Sequence, residues 1–268
     1  MGKTCLILID PQYDFCDPIN GQLYVNGAEW DMSRLAHMIQ KMGSKINQIH
    51  VSIDSHFLIS VAHSAMWRNK EGQHPDNYTV ITHQDLIDKK WIPIYPEYEQ
   101  WFLYYTSELE KNKKYELRIW PPHCLIGSIG QSVDPSLDKA LRIWQETVLQ
   151  NIHFISKGSS PLTEHYSMFK AEVPYPGDIS THLNKRLLND LESNDTILVG
   201  GEALLHCVKN SLVDMLNGFD HKTSAKKVIL LEDTTHAVPL PDYEKLSKEF
   251  IEEMKGRGVQ IASVIDFI

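Results

Sequence analysis

Short apolar runs of strand length recur along the chain, and stretches with apolar residues at helical spacing lie between them. The runs are Cys5–Ile9, Ile49–Ile53, Val148–Ile155, Thr196–Val199, Lys227–Leu231 and Gln260–Val264. Leu35, Met38, Ile39 and Met42 follow the first run on one helical face. Val208, Leu212, Met215 and Leu216 do the same after the fourth. Asp178–Leu191 and Asp242–Met254 also read as helices, the second with Tyr243, Leu246, Phe250 and Met254 along one side. Strands alternating with helices predict an α/β fold: an open, mostly parallel sheet of about six strands with helices on both faces. No repeat, low-complexity segment or linker interrupts the pattern, so residues 1–268 read as a single domain.

One segment breaks the alternation. From about 64 to 115 the chain is polar, irregular and rich in aromatics, with Trp91, Tyr95, Tyr98, Trp101, Phe102, Tyr104 and Tyr105. An excursion of that length from a compact domain is usually a lid, an interface element or a mobile loop. Its Tyr and Trp density suggests a surface that packs on something. A small subdomain packed on its own chain is the other reading.

Composition narrows the partners. The 268 residues are 42% hydrophobic and 23% charged, ordinary for a globular protein. The formal net charge is −9 and no basic run occurs, which disfavours nucleic acid and anionic membranes as partners. No apolar run approaches membrane-spanning length. The N-terminus moves straight into a strand without a secretory pattern, and the four cysteines then read as free thiols in a reducing cytoplasm.

The candidate chemistry gathers at strand ends. Asp10 ends the first strand, Asp54 and His56 end the second, and Lys157 ends the run at 155. Cys207 follows the glycine pair Gly200-Gly201, and His123 lies in Trp120-Pro-Pro-His-Cys124. In a parallel sheet these ends share one side, where ligands bind. A thiol at the start of a helix, near a lysine, is expected to favour the thiolate. Asp10, Lys157 and Cys207 make a nucleophilic set in which a buried carboxylate serves as base. Asp54 and His56, two apart, can reach one ion, with His123 as a third ligand; a carboxylate with two imidazoles suits zinc, manganese or iron. Taken singly, Cys207 also reads as a structural thiol, Asp10 as a helix cap and Lys157 as a solvated turn residue. Their convergence is what carries the argument.

These residues, in this order, resemble the cysteine hydrolases of the isochorismatase and nicotinamidase superfamily, and its nicotinamidase branch in particular. Asp10-Pro-Gln-Tyr-Asp-Phe-Cys16, with Asn20-Gly-Gln-Leu23 and Val25-Asn-Gly-Ala-Glu29, is similar to a nicotinamidase N-terminus. Asp54-Ser-His56 and Trp120-Pro-Pro-His-Cys124 look like the metal motifs. Lys157-Gly158 with Tyr166-Ser-Met-Phe169 looks like the catalytic-lysine segment, and Gly201 to Val208 like the nucleophile turn.

The resemblance implies a triad of Cys207, Asp10 and Lys157, and an oxyanion hole from the N–H groups of Ala203 and Cys207 beside a cis peptide at Glu202–Ala203. It implies one divalent metal, zinc or else manganese or iron, on Asp54, His56 and His123, with Ser60 or His63 as a fourth ligand. A pocket of Phe15, Trp120 and Tyr166 would sandwich a pyridine ring. The expected activity is hydrolysis of nicotinamide to nicotinate and ammonia through a thioester, a step of NAD metabolism, in a cytoplasmic homo-oligomer. The alternatives are a related cysteine hydrolase acting on another small amide, a carbamoyl compound or isochorismate, and a non-catalytic binding protein of the same fold. Tyr13 stands where nicotinamidases usually carry Asn, and Ala203-Leu-Leu-His206 where they often carry Ala-Thr-Asp-Tyr.

Overall fold

A computed structural model describes residues 2–111 and 116–268. Tyr115, the end of the aromatic segment read from the sequence, lies outside the described residues. Six strands form the main sheet: β1 (Thr4–Ile9), β2 (Gln48–Asp54), β3 (His153–Lys157), β4 (Thr196–Gly201), β5 (Val228–Leu231) and β6 (Gln260–Ala262). Their spatial order is β6-β5-β4-β1-β2-β3, and every neighbouring pair is parallel. Chain order runs one way from β1 to β3 and the other way from β4 to β6. The ends of β1 and β4 therefore flank the switch point, where such sheets open a crevice.

Side-chain alternation on β1 builds two cores. Leu6 and Leu8 join one, with Met32, Leu35 and Ile39 of α1 (Ala28–Met42) and Leu137, Leu141 and Trp144 of α3 (Pro135–Val148). Cys5, Ile7 and Ile9 join the other, with residues of α4 (Lys185–Glu192), α5 (Lys209–Gly218) and α6 (Tyr243–Gly256). Helices thus cover both faces, as the pattern predicted.

Three element boundaries differ from the expectation. The run Val148–Ile155 is not one strand. Asp134 caps α3 by accepting from the Ser136 and Leu137 N–H groups, and the amphipathic repeat Leu137, Leu141, Trp144 carries that helix through Val148. Leu149 then closes it in the left-handed region (φ 58), and β3 begins only at His153. The expected helix Asp178–Leu191 is a 3₁₀ turn, Ile179–Thr181, followed by α4. Asn184 starts that helix by accepting from the Leu187 N–H (3.0 Å). The last strand stops at Ala262, because Ser263 caps the turn Val264–Phe267.

The aromatic segment packs on its own chain. Trp67, Phe102 and Tyr105 are fully buried, and the helix α2 (Glu99–Lys111) contributes the last two. Two short antiparallel pairings, Trp67–Arg68 with Ile92–Pro93 and Val80–Ile81 with Leu117–Arg118, close the excursion. No helix among the described residues is long and apolar enough to cross a membrane.

Candidate active site

Lys157 is the hub of the crevice. Register pairs it with Asp54 at the end of β2, so the two side chains leave the sheet together. Its ammonium donates to Asp54 Oδ1 (3.0 Å), to the His165 carbonyl (3.0 Å) and to Cys207 Sγ (3.5 Å). Asp10 Oδ2 lies 2.8 Å away, a close ion pair and not a well-aligned hydrogen bond. Lys157, Asp10 and Asp54 are all buried. Gly158, the next residue, has φ +80, and a Cβ there would come within 2.7 Å of Asp54 Oδ1 and 3.1 Å of the His56 ring. That close approach explains the glycine after the lysine.

Asp10 follows the last residue of β1 with φ 42. Ser52 of β2 holds it twice: its hydroxyl accepts from the Asp10 N–H (3.0 Å) and donates to Asp10 Oδ1 (2.5 Å). Gln12 similarly grips the Asp54 backbone, donating to its carbonyl (2.7 Å) and accepting from its N–H (2.6 Å). Asp14 Oδ2 accepts from the Cys124 N–H (2.6 Å) and so fixes the loop that carries His123. Ser52, Gln12 and Asp14 were not singled out from the sequence. Gln12 and Asp14 lay inside the quoted opening motif. Ser52 had no signal beyond its place two residues before Asp54.

Gly201 ends β4 with φ +117, where a Cβ would meet the Ile9 carbonyl. The Glu202–Ala203 peptide is cis. The chain then winds through a π-type turn, Leu204–Val208, directly into α5. The Ala203 carbonyl accepts from the His206 N–H (3.0 Å) and the Val208 N–H (3.2 Å). This turn brings Cys207 over the Lys157 ammonium and within hydrogen-bond reach of Asp10.

The expected acidic thiol is not what the geometry gives. Burial pushes the Cys207 thiol well above the usual range. Lys157 pulls it partway back, and Asp10 and Asp54 push it up again. Burial also raises the Asp10 carboxyl against the pull of Lys157. Burial alone would lower Lys157, but Asp10 and Asp54 hold its ammonium well above the usual lysine range. The resting site is therefore a protonated thiol, a firmly charged ammonium and a carboxylate with raised proton affinity.

A second cluster adjoins the first. His56 Nε2 lies 2.9 Å and His123 Nε2 3.5 Å from Asp54 Oδ2. One ligand atom from each of Asp54, His56 and His123 falls within 4.8 Å of the others. Burial would raise Asp54, but His56 and Lys157 outweigh it, and the carboxyl lies well below the usual range. His63 stands just beside this group, its ring centroid 5.2 Å from that of His56 and 5.5 Å from that of His123. Burial and the two neighbouring imidazoles hold His63 neutral, its pKa about 3. The donor set fits a divalent cation. His123 Nδ1 contacts the Pro121 carbonyl (2.8 Å) and His63 Nδ1 the Phe57 carbonyl (3.1 Å), which sets the tautomer that leaves Nε2 as an acceptor. His63 Nε2 and His56 Nδ1 are buried without a hydrogen-bond partner. Ser60 is buried as well, and its carbonyl accepts from the His63 N–H (2.9 Å).

Phe15, Trp120 and Tyr166 line one small, tight cavity with Cys207, Ala203, Asp54 and His123. Trp120 Nε1 donates to Tyr166 Oη (3.0 Å), which fixes the two rings as one wall. His206, Glu164 and Val238 also line it and were not anticipated as wall residues. A larger cavity, about 700 Å³, lies between Phe57, Leu58, Tyr95, Tyr98, Leu162 and Tyr175. None of the reactive groups above lines it, so chemistry selects the smaller one. The aromatic segment follows the second reading, a unit packed on its own chain, and it braces a loop of the site. Trp101 Nε1 donates to the Leu162 carbonyl (2.7 Å), and Tyr105 Oη accepts from the Glu164 N–H (3.2 Å), behind the loop that supplies His165 and Tyr166.

No family profile matches the chain, and no curated protein sequence matches it. Solved structures do. A nicotinamidase/pyrazinamidase of Acinetobacter baumanii superposes with a TM-score of 0.65 at 19% identity, covering 100% of this chain and 99% of its own. The yeast nicotinamidase gives 0.64 at 20% identity, covering 97% and 99%. A pyrazinamidase of Pyrococcus horikoshii in complex with zinc gives 0.56 at 20% identity, covering 97% and 99%. At these identities the likeness is one of fold, and it extends over 97–100% of this chain.

Proposed function

We propose that the chain is a cysteine amidohydrolase that converts nicotinamide and water to nicotinate and ammonia. The observation that carries this reading is the single ammonium of Lys157, in reach of Asp10, Asp54 and Cys207 at once. It ties a nucleophile, a base and a metal-type cluster into one crevice. The fold shared with structures described as nicotinamidases and pyrazinamidases supports the same substrate class.

In this reading Cys207, Asp10 and Lys157 are the catalytic residues. The carboxamide enters between Phe15 and the Trp120–Tyr166 wall. Asp10 takes the thiol proton as Cys207 Sγ bonds to the carboxamide carbon. Its raised proton affinity suits it to hold that proton. Lys157 compensates the charge that moves from Asp10 to sulfur. The carbonyl oxygen becomes an oxyanion at the Ala203 and Cys207 N–H groups, each such donor being worth about 3 kcal/mol. The C–N bond breaks, Asp10 returns its proton to the leaving nitrogen, and ammonia departs. Water then attacks the thioester and gives one proton to Asp10, which passes it back to sulfur; the product leaves as nicotinic acid and ionises to nicotinate, its proton taken up by the released ammonia. Asp54, His56 and His123, with His63 as fourth ligand, would hold a divalent ion, zinc in our reading. Bound there, such an ion supplies a Lewis acid that anchors the ring nitrogen. Residues 1–268 act as one catalytic domain in this scheme, in a cytoplasmic homo-oligomer.

Ammonia release from a panel of small amides tests the assignment. Nicotinamide should be hydrolysed with a thiol-dependent burst, and Cys207→Ala should abolish turnover while leaving the fold intact. Wild-type turnover in the Cys207→Ala protein would refute it.

A further inference from the structure

Two fully buried carboxylates, Asp31 and Glu202, take no part in the chemistry above. Glu202 precedes Ala203, whose N–H is assigned to the oxyanion, and Asp31 lies in the first turn of α1. His236 joins them. Its Nδ1 is 2.5 Å from Asp31 Oδ2, its backbone N–H donates to Glu202 Oε2 (3.2 Å), and its carbonyl accepts from the Leu204 N–H (2.8 Å). Thus one residue clasps both sides of Ala203, and Asp31 holds that residue by its ring.

The clasp is itself anchored. Arg34, one helical turn after Asp31, donates to Asp31 Oδ1 (2.6 Å) and to the Asp233 carbonyl (2.5 Å), three residues before His236. Gly27, at the start of α1, has φ +97, and a Cβ there would lie 3.2 Å from the His236 ring. The glycine of the Val25-Asn-Gly-Ala-Glu29 stretch is therefore the floor on which this imidazole sits. On the other side the Glu202 N–H donates to the Ile9 carbonyl (2.7 Å), so the turn is pinned to the end of β1 as well. Burial and the nearby Asp31 hold the Glu202 carboxyl well above the usual range, so Glu202 is neutral here.

We propose that Asp31 and His236 are positioning residues that set the direction of the Ala203 N–H, acting from behind the turn through Glu202 and Leu204. This inference rests on the amidohydrolase reading, in which that N–H meets an oxyanion. Neither residue lines the substrate cavity. Their loss should therefore act on the transition state and spare ground-state binding.

The test compares Asp31→Asn, His236→Ala, Glu202→Gln and Glu202→Ala with the wild type on nicotinamide. Expected is at least a tenfold fall in kcat for Asp31→Asn and His236→Ala, with KM within twofold. Inhibition by an aldehyde analogue should weaken by a similar factor, because the Cys207 sulfur adds to its carbonyl carbon and leaves a thiohemiacetal oxyanion on the former carbonyl oxygen. Glu202→Gln, which keeps an uncharged acceptor for the His236 N–H, should retain most of kcat, and Glu202→Ala should not. Amide hydrogen exchange at Leu204 should quicken in His236→Ala. Should Asp31→Asn fail to fold, His236→Ala decides, because its ring is half exposed. Unchanged kcat in His236→Ala, or a rise in KM that accounts for the whole loss, would overturn the proposal. A wild-type protein inert on every amide would overturn the functional reading instead, and the Leu204 exchange rate would still report whether the clasp holds the turn.

Discussion

Among single residues, Cys207 gives the sharpest contrast between neighbourhood and environment. An ammonium 3.5 Å from sulfur favours a thiolate, yet burial and two carboxylates together outweigh it. In the proposed mechanism the thiol is activated only as Asp10 receives its proton. Alkylation should report this. The iodoacetamide rate at Cys207 should stay low at neutral pH and rise only above about 8.5, the ordinary thiol midpoint. In Lys157→Met it should move higher still, because the one group that lowers the thiol is gone. A plateau reached below pH 7 would mean that sulfur rests as an anion.

For the elements, sequence patterning did well where burial is one-sided or complete. β1, β4 and β5 are near-continuous apolar runs, largely buried, and β2 alternates Ile49, Val51 and Ile53 with polar residues; the positions of all four were legible. It did poorly at β3, an edge strand with His153 and Phe154 exposed, where the apolar signal of α3 ran straight into the strand. The convergence of Asp10, Asp54, His56, Lys157 and Cys207 was legible because the fold puts strand ends together, a rule of topology. Ser52, Gln12 and His236 were not, since their roles depend on hydrogen bonds across more than forty residues, which no local spacing announces. The aromatic segment lies between these cases: its aromatics marked a packing surface, and only the fold identifies what α2 packs on. Trp101→Ala removes a hydrogen bond to the Leu162 carbonyl and a ring contact with Tyr175 at 4.8 Å. We expect about 2 kcal/mol of destabilisation and a several-fold rise in KM, with the single-turnover acylation rate within about threefold of wild type. Thermal melts and single-turnover kinetics check this; a large loss of acylation at unchanged KM would put α2 in the catalytic machinery.

Over the whole molecule, buried histidines tie stability to pH. His50 and His165 are buried, and burial depresses them to about 4 and about 3. In the unfolded chain each titrates near the usual 6.5. The unfolded state therefore binds more protons as pH falls, and stability present above about 6.5 is lost toward the folded values. At pH 5 each such histidine costs about 2 kcal/mol. Urea midpoints should fall steadily from pH 7 to pH 5, and replacing His50 with Gln should flatten the slope. A midpoint independent of pH over that interval would show that these imidazoles are protonated in the fold.

The switch point of the sheet has one more consequence. The turn at Ala203 and the Cys207 thiol follow β4, while Asp10, Lys157 and the three imidazoles, to which the proposed mechanism gives the proton, the charge and the ion, all precede it in the chain. The exposed stretch around Gly177 and Ile179 separates the two groups. A nick there divides the reaction between two polypeptides: one with a base and nothing to deprotonate, the other with a nucleophile and nothing to activate it. Among the described residues their only sheet contact is the β1–β4 seam, six residues long. On the proposed mechanism catalysis is a property of that seam, and ammonia release becomes a direct gauge of whether two half-molecules have found each other.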